Sequence, residues 1–303
     1  MKKKTISVHV PATTANLGPG FDCLALALNI WNHATFSLEG EGIKLHIKGE
    51  GSGKLVDDKR NLIAKSFIKF FKAYNLSEPL GLVIECENNI PLGSGLGSSA
   101  AAVITGLIGA NALLGNIATK VDILELANEI EGHPDNVTAA VFGGLSIVVR
   151  DNDHFIHHIV DVPEINVAIA VPEFELPTQV SRSALPKAIP LSDVIFNLGR
   201  TALVVEALRT KNYEILKTAV DDRLHQPYRI KLLPGAANAM DNALKNGASA
   251  VALSGAGPSI IAFGEENISA IADSMVTSFE EEGVSARPYL PTTITTGAYV
   301  NSN

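Results

Sequence analysis

The sequence predicts an α+β fold divided into two domains. The length of 303 residues is sufficient for two domains of roughly 150 residues each. Hydrophobic residues make up 46% of the chain and charged residues 18%, a balance typical of a protein with an extensive core. Strand-like and helix-like segments follow one another without a strict strand–helix–strand alternation, which favours two α+β domains. We place the boundary at a polar turn, which divides the chain into residues 1–152 and 153–303.

The first domain begins with strand-like segments. Apolar and polar residues alternate over 43–48 and again over 80–87, which is typical of strands with one buried face. Apolar residues at helical spacing predict a helix between these two segments. In chain order, we expect strands at 5–10, 35–38 and 43–48, a helix at 61–74, a strand at 80–87, helices after Ser98, over 121–131 and from Pro134, and a strand pair at 142–150 and 155–162.

The second domain shows the same mixture of elements. The glycine-containing turn SGAGPS separates two short apolar segments, which predicts two strands joined by this turn. In chain order, we expect a strand at 166–171, two or three helices within 191–244, strands at 250–253 and 260–263, a helix at 269–282, and strands at 285–290 and 293–299.

The charge and the apolar pattern argue against several classes of function. The net charge of −8 does not suit a general binder of nucleic acids or anionic membranes, whose affinity comes from clustered Lys and Arg. The longest apolar stretch, 100–114, is shorter than the ~20 residues that span a bilayer, so we expect a buried helix there. The two cysteines and the lack of a leader-like apolar segment near the N-terminus favour a cytoplasmic protein.

A glycine-rich stretch, PLGSGLGSSAAAV at residues 91–103, joins the predicted strand at 80–87 to a helix. Glycines at every second position let the backbone approach a ligand, and a helix N-terminus attracts anions, so a phosphate is the expected occupant. The spacing is not that of a P-loop, since no Gly-Lys-Ser/Thr follows, nor that of a dinucleotide fold. A tight turn capped by Ser98 or Ser99 is the alternative that the residues themselves leave open.

Three stretches together resemble the GHMP kinases, a family of ATP-dependent small-molecule kinases. They are PATTANLGPGFD at 11–22, PLGSGLGSSAA at 91–101 and LSGAGPSIIAF at 253–263. The resemblance implies a two-domain fold with an N-terminal ribosomal-S5-domain-2-like domain and a C-terminal ferredoxin-like domain. It also implies ATP, Mg²⁺ and phosphorylation of a hydroxyl group. The ATP-binding residues that it implies are Asn61, Pro91, Leu92, Gly93, Ser94, Gly95, Leu96, Gly97, Ser98, Ser99, Ala100 and Ala101, although Asn61 is equally well explained as a helix cap.

Within the family, the N-terminal motif together with HPDNV and QPYRIKLLPG most resembles the homoserine kinases. L-homoserine is a zwitterion, so its site needs partners for a carboxylate and for an ammonium group. Asp22 can bind the ammonium group, and arginines at the matching positions, Arg182 and Arg229, can hold the carboxylate bidentately. Asn16 and His133 complete the substrate-binding residues that the resemblance implies. Without the resemblance, both arginines would be interpreted as surface residues.

The resemblance also implies a metal site made of a serine and a glutamate. Ser99 matches the serine. Counting back from Asn136 with the family's spacing places the glutamate at Glu125, and a shift in register would favour Glu129 or Glu131 instead. Side-chain oxygens of this kind are the ligands that Mg²⁺ prefers.

The reacting centre is expected to lack a carboxylate base. The register places Asn136, rather than Asp135, where related kinases have a catalytic aspartate. An amide has no proton that titrates near pH 7, so we expect the substrate hydroxyl to attack the γ-phosphate directly. Thr178 matches a hydroxyl near the reacting group and is expected to relay a hydrogen bond, although an ordinary loop threonine is equally consistent with the residues.

The residues leave two other functions open. A sister kinase acting on mevalonate or phosphomevalonate would have no use for Asp22, because those substrates lack an ammonium group. A non-catalytic ATP-binding regulator would be expected to have lost the glycine-rich stretch, which is intact here. Relatives are commonly homodimers, so we also expect a homodimer.

Overall fold

The computed structural model describes residues 5–152, 154–174 and 176–302. The strands are β1 (Thr5–Ala15), β2 (Leu24–Ser37), β3 (Gly42–Gly49), β4 (Gly81–Asn88), β5 (Leu145–Asp151), β6 (His154–Val160), β7 (Val167–Pro172), β8 (Ala250–Leu253), β9 (Ile260–Phe263), β10 (Ala286–Tyr289) and β11 (Tyr299–Ser302). The helices are α1 (Leu62–Ala73), α2 (Ser98–Leu113), α3 (Lys120–Glu131), α4 (Pro134–Phe142), α5 (Thr178–Ser183), α6 (Leu191–Thr210), α7 (Tyr213–Ala219), α8 (Gln226–Arg229), α9 (Ala236–Lys245) and α10 (Ile268–Glu281).

The first sheet is built around the long strand β2. Its strand order is β11-β1-β2-β4-β3, and β5 pairs with the first residues of β2 and continues to β6. All of these pairings are antiparallel except the parallel pairing of β3 with β4. Helices α1 and α2 pack on each other, and α2 and α4 pack on β1. Helix α2, which covers most of the apolar stretch at 100–114, is buried almost all round, as predicted.

The second sheet has the strand order β10-β7-β9-β8, with every pair antiparallel. Helices α9 and α10 pack together and lie on this sheet. The core between these elements includes the fully buried side chains of Leu253, Ile260, Met275 and Phe279. Two sheets with separate helical layers confirm the predicted α+β fold of two domains.

The structure moves the domain boundary away from residues 152 and 153. Strands β5 and β6 form an antiparallel hairpin within the first sheet, so the predicted boundary would cut this sheet at the hairpin tip. The last strand, β11, also returns to pair with β1. The first unit therefore consists of β1 to β6 together with β11, and the second runs from β7 to β10. Composition did not distinguish a hairpin tip from a domain linker, because both are polar turns. Residue 153 itself lies outside the described residues.

Other elements also differ from the sequence prediction. Residues 191–245 form four helices, α6 to α9, whereas two or three were expected within 191–244. Strand β2 begins well before the predicted 35–38, because its first half is buried on both faces and so lacks the alternation of a half-buried strand. Helix α5 was not predicted. The strand predicted at 293–299 is instead a connection, in which Thr292 and Thr293 form isolated bridges before β11 begins. Within the described part of the chain, no helix combines the length and apolarity needed to cross a bilayer.

Candidate active site

A cleft of about 210 Å³ lies where loops of the two domains meet. Its volume is below the ~300–1,000 Å³ of pockets for drug-sized ligands, so it suits a small metabolite and the phosphate end of a larger molecule. The residues that line it come from the β1–β2 loop, the β4–α2 loop, the α3–α4 junction, α5, α8 and the β8–β9 turn. They are Asn16, Asp22, Gly93, Ser94, Gly95, Gly97, Ser98, Ser99, Ala100, Glu131, His133, Asp135, Asn136, Leu176, Pro177, Thr178, Arg182, Arg229, Gly255, Ala256 and Gly257.

The β4–α2 loop has the backbone geometry of an anion site. Gly93, Gly95 and Gly97 have left-handed φ angles of 60°, 83° and 72°. Gly97 is the N-cap of α2, and no side chain caps the helix there. The alternative in which Ser98 or Ser99 caps the helix is therefore not observed, because both serines lie inside the first turn. The uncapped N–H groups at this helix end face the cleft and can bind an anion.

The β8–β9 turn holds the glycine loop in place from the second domain. The Ser254 Oγ–H donates to the carbonyl of Gly95 over 2.7 Å, and the Ser259 N–H donates to the carbonyl of Ser94 over 3.1 Å. A Cβ atom on Gly95 would lie 2.2 Å from the carbonyl oxygen of Ser254, so only glycine allows this approach. The glycine motifs at 91–101 and 253–263 are thus joined by hydrogen bonds, so each stabilises the conformation of the other.

Replacing Gly97 with alanine should lower activity by about 10²-fold, because small displacements at a reacting centre cost that much. The added Cβ would lie 2.1 Å from Thr13 Oγ1, which donates to Asn136 Oδ1 over 2.8 Å in the cleft. Gly40→Ala is a matched control, since Gly40 has nearly the same φ, 70°, and an added Cβ there would have no atom within 4 Å. The control should lose only ~1 kcal/mol of stability and keep its activity. Steady-state kinetics and thermal melts would check this, and equal activity of the two variants would contradict it.

The acidic side of the cleft is formed by Glu131, the last residue of α3. The Ser99 Oγ–H donates to Glu131 Oε1 over 2.6 Å, and burial raises the pKa of Glu131. Glu125, the predicted metal ligand, does not line the cleft; its Oε1 instead accepts the N–H of Phe155 over 3.2 Å. The two glutamates are six residues apart and therefore leave the helix about 120° apart. Glu131, one of the alternatives that a shift in register allowed, therefore lines the cleft, whereas Glu125 does not.

The third glutamate of α3 also lies away from the cleft. Glu129 is exposed and forms an ion pair with Lys69 of α1 at 2.7 Å. Asn61, the predicted adenine contact, is likewise outside the cleft. It is the N-cap of α1, where Oδ1 accepts the N–H of Ile63 and Nδ2 donates to the carbonyl of Val56. Both ends of its amide are thus bonded within the protein, which agrees with the capping alternative.

The remaining predicted ATP-binding residues divide into two groups. Gly93 to Gly95 and Gly97 to Ala100 line the cleft. Leu96 and Ala101 are fully buried in the core beneath it. Pro91 and Leu92 precede the cleft-lining part of the loop, and Leu92 is partly exposed.

Asp22 and Arg182 face each other across the cleft. The Arg182 Nη1–H and Nη2–H groups donate to the two carboxylate oxygens of Asp22 over 2.9 and 2.7 Å. Asp22 was predicted to bind the ammonium group of the substrate and Arg182 its carboxylate. In this structure the two side chains bind each other instead. Asn16 belongs to the same loop as Asp22. Its Oδ1 accepts the Asp22 N–H and its Nδ2 donates to the carbonyl of Gly255, so both ends of its amide stabilise the loop.

Arg229 is a buried cation without a carboxylate partner. Only 1% of the residue is exposed, and the described residues supply no ion pair to it. Nη1 donates to the carbonyl of Gly255 and to His225 Nδ1, each at 3.2 Å, whereas the Nε–H has no partner within the described part of the chain. Burial and the charge of Arg182 lower the pKa of Arg229 to about 10, so it stays charged at neutral pH. A charge this buried is unfavourable unless an anion joins it.

The junction between α3 and α4 places three polar residues in the cleft. His133 is the N-cap of α4, and burial and the charge of Arg182 lower its pKa. Asp135 is fully buried, which raises its pKa to about 6, and its Oδ1 accepts the N–H of Asn136 over 2.7 Å. Thr178 stands opposite, at the start of α5, and also lines the cleft. All of these except Asp135 were predicted site residues.

Sequence reasoning missed several residues of the cleft. Thr13 and Ser254 contact the cleft residues Asn136 and Gly95; both lie within the quoted motifs, but no role was assigned to them because a hydroxyl within or beside an apolar strand gives no local signal. Asp135 was noted only to exclude it as the base. Leu176 and Pro177 lie in a segment whose turn into α5 was not predicted. The glycines of SGAGPS were recognised as a motif, but no role in the cleft was assigned to them.

Comparison with known proteins supports the same interpretation of the fold. The family model for the N-terminal domain of GHMP kinases matches residues 61–144, and the model for their C-terminal domain matches residues 204–281. A crystal structure of mevalonate kinase aligns with a TM-score of 0.69 at 14% identity over 96% of this chain, which shows a shared fold. The fold, the glycine loop and these matches define a kinase of the GHMP family.

The relatives specify the family more narrowly. Homoserine kinase from Carboxydothermus hydrogenoformans is 40% identical over 93% of this chain and 92% of its own length. The enzyme of that name from a Synechococcus species is 42% identical over 93% of both chains. The crystal structure of homoserine kinase from Cytophaga hutchinsonii aligns with a TM-score of 0.87 at 30% identity, covering 99% of this chain and 98% of the other. The chain belongs to the homoserine kinases.

Proposed function

We propose that this protein transfers the γ-phosphoryl group of ATP to the side-chain hydroxyl of L-homoserine, giving O-phospho-L-homoserine and ADP. The observation that carries this proposal is Arg229, a buried and charged guanidinium that lines the cleft and whose Nε–H has no partner among the described residues. Nε and Nη of one guanidinium present two parallel N–H groups, which is the geometry that a carboxylate accepts. The names of the relatives agree with an amino-acid substrate.

The zwitterion of homoserine can be bound by exchange with the Asp22–Arg182 ion pair. Its carboxylate takes the place of Asp22 beside Arg182 and also meets Arg229, while Asp22 turns to the ammonium group. Both side chains are about one-third exposed toward the cleft, so this exchange requires no unfolding of the protein. The hydroxyl end of the substrate then points toward Asn136 and the glycine loop.

The residues at the mouth of the glycine loop fit Mg²⁺. Mg²⁺ keeps several waters and is commonly held by one or two protein oxygens together with the phosphates of its substrate. Ser99 Oγ and the Glu131 carboxylate provide two such oxygens beside the expected phosphate position. The described residues contain no cluster of three or more His, Cys, Asp or Glu suited to a metal. When bound, the ion would neutralise charge on the transferring phosphate.

The chemical step depends on alignment rather than on a dedicated base. Asn136, which the register aligns with the base of related kinases, lines the cleft, and its Oδ1 accepts the hydroxyl of Thr13 over 2.8 Å. An amide cannot take a proton at neutral pH, so the homoserine hydroxyl attacks the γ-phosphorus and loses its proton late, to the phosphate or to solvent. Phosphoryl transfer needs mainly positioning and charge neutralisation, which the cleft provides. Thr178, which lines the same cleft, is the proposed hydrogen-bonding partner near the reacting group.

Replacing Asn136 with alanine should lower kcat by about tenfold, rather than by the ~10⁴-fold that loss of a strong general base can cost. The remaining activity reflects the alignment that the glycine loop and the arginines still provide. Initial rates at saturating homoserine and ATP would measure it. A complete loss of activity in a folded variant would mean that this residue has a larger part in the reaction.

A coupled ADP-release assay would test the proposed function. L-homoserine, L-serine, L-threonine and mevalonate would be supplied with Mg-ATP, and phosphorus NMR would identify the product. We expect homoserine to stimulate ADP release far more than the other compounds do. If no hydroxy amino acid stimulated it, the proposal would be wrong. The expected homodimer stays a prediction, which sedimentation velocity would check.

A further inference from the structure

His225 is a fully buried imidazole that the proposed reaction does not use. It is the N-cap residue of α8, four positions before Arg229. Its Nε2 lies 2.7 Å from the carbonyl oxygen of Gly18, and its Nδ1 lies 3.2 Å from Nη1 of Arg229. The imidazole therefore connects the substrate-binding β1–β2 loop with the buried arginine.

The two contacts determine the protonation state of the ring. A carbonyl oxygen only accepts hydrogen bonds, so Nε2 must carry the proton; a guanidinium only donates them, so Nδ1 must offer its lone pair. His225 is thus neutral with the proton on Nε2. Burial, which lowers its pKa, and the adjacent charge of Arg229 support this state against the opposing charges of Asp222 and Asp22.

The surroundings hold the imidazole in one orientation. The Asp222 carboxylate accepts the N–H of His225 over 3.0 Å and that of Gln226 over 2.6 Å, which anchors the backbone here. The ring of Phe21 stacks on the imidazole with centroids 5.1 Å apart. The same phenyl ring lies 5.0 Å from the guanidinium carbon of Arg229. The arginine therefore has an aromatic face on one side and a fixed acceptor at Nη1.

We propose that His225 is a positioning residue for the carboxylate of the substrate. Its Nδ1 holds Nη1 of Arg229, so that the unpartnered Nε–H edge of the guanidinium is presented to the cleft. Without this acceptor, the carbonyl of Gly255, to which Asn16 also donates, would be the one remaining hydrogen-bond acceptor for the guanidinium among the described residues. This inference rests on the proposed function, since it assigns Arg229 to the homoserine carboxylate.

Two substitutions separate the two hydrogen bonds of the imidazole. In His225→Asn, the amide oxygen replaces Nδ1 as the acceptor for Arg229, and the donor to Gly18 is lost. In His225→Gln, the longer amide reaches the Nε2 position and can donate to Gly18, but no acceptor faces Arg229. We expect His225→Gln to raise KM for homoserine roughly 10- to 100-fold, the usual cost of losing a hydrogen bond to a charged group. His225→Asn should stay within about threefold of the wild type. KM for ATP and kcat should change little in either variant.

A substrate without a carboxylate makes the test specific. In 2-amino-1,4-butanediol a hydroxymethyl group replaces the carboxylate, so its low kcat/KM should be the same for His225→Gln and the wild type. Met275→Ala, a cavity variant in the separate core of the second sheet, controls for general destabilisation. It should lower the melting temperature and leave KM for homoserine unchanged.

Three results would overturn the inference. They are an unchanged KM for homoserine in folded His225→Gln, an equal rise in KM for both His225 variants, and an equal loss on the substrate without a carboxylate. If His225→Gln did not fold, a tenfold rise in KM for His225→Asn would also overturn it, and a wild-type-like KM would support it. Failure of the wild-type protein to phosphorylate homoserine would instead contradict the proposed function.

Discussion

Replacing Arg229 with methionine should reduce kcat/KM for homoserine by about 10²- to 10³-fold, because truncating a buried partner of a charged group costs ~2–5 kcal/mol. Methionine has a similar length and carries no charge, so the buried volume remains filled. The guanidinium has no carboxylate partner among the described residues, and the carbonyl of Gly255 keeps its hydrogen bond from Asn16. We therefore expect the melting temperature to change by only a few degrees. A large loss of catalysis with little loss of stability is typical of a residue retained for binding.

Arg223→Met is the matched control for this variant. Arg223 lies six positions earlier, is half exposed and forms an ion pair with Asp193 at 3.1 Å. Surface pairs of this kind contribute ~0–1 kcal/mol, so the control should keep its kinetic constants and nearly all of its stability. Steady-state kinetics with homoserine varied at saturating Mg-ATP, together with thermal melts, would compare the two. If Arg229→Met and Arg223→Met had the same kinetic constants, Arg229 would not be a substrate-binding residue.

Replacing Glu131 with glutamine should reduce kcat by about 10²- to 10³-fold, the usual cost of removing one electrostatic contact to the transferring group. Glutamine keeps the size of the side chain and can still accept the Ser99 hydroxyl, so the local fold should be retained. The loss would come from the missing negative charge, which weakens the site for Mg²⁺. Titration with Mg²⁺ should accordingly show half-maximal activity at a higher concentration than in the wild type.

Glu125→Gln separates the two registers of α3. Glu125 contacts the backbone of Phe155 and lies outside the cleft, so this variant should keep its activity and its Mg²⁺ dependence. The opposite pattern, with Glu125→Gln inactive and Glu131→Gln active, would show that Glu125 holds the metal, as the spacing of the family implies. Equal and small effects of both would mean that neither carboxylate holds the metal.

Local patterns were enough to predict most elements of the fold. Alternating apolar residues indicated β3 and β4, helical spacing indicated α1, and the glycine stretch indicated an anion site at the start of α2. These features depend on residues within a few positions of one another, which a single sequence displays directly. The sequence left open the alternative of serine capping at α2, because a Gly97 N-cap and a Ser98 N-cap differ by one residue, which is within the usual uncertainty of a helix end.

The tertiary structure determined the contacts and the burial of each polar residue in the cleft. Asp22 and Arg182 are 160 positions apart, yet they form one ion pair, and the buried state of Arg229 depends on the β1–β2 loop, α8 and the β8–β9 turn together. Glu131 lines the cleft and Glu125 does not, because only one side of α3 faces the cleft. The return of β11 to the first sheet likewise has no local signal. Propensity and spacing act over one or two turns of chain, whereas burial and charge pairing depend on distances between segments, which only the assembled structure sets.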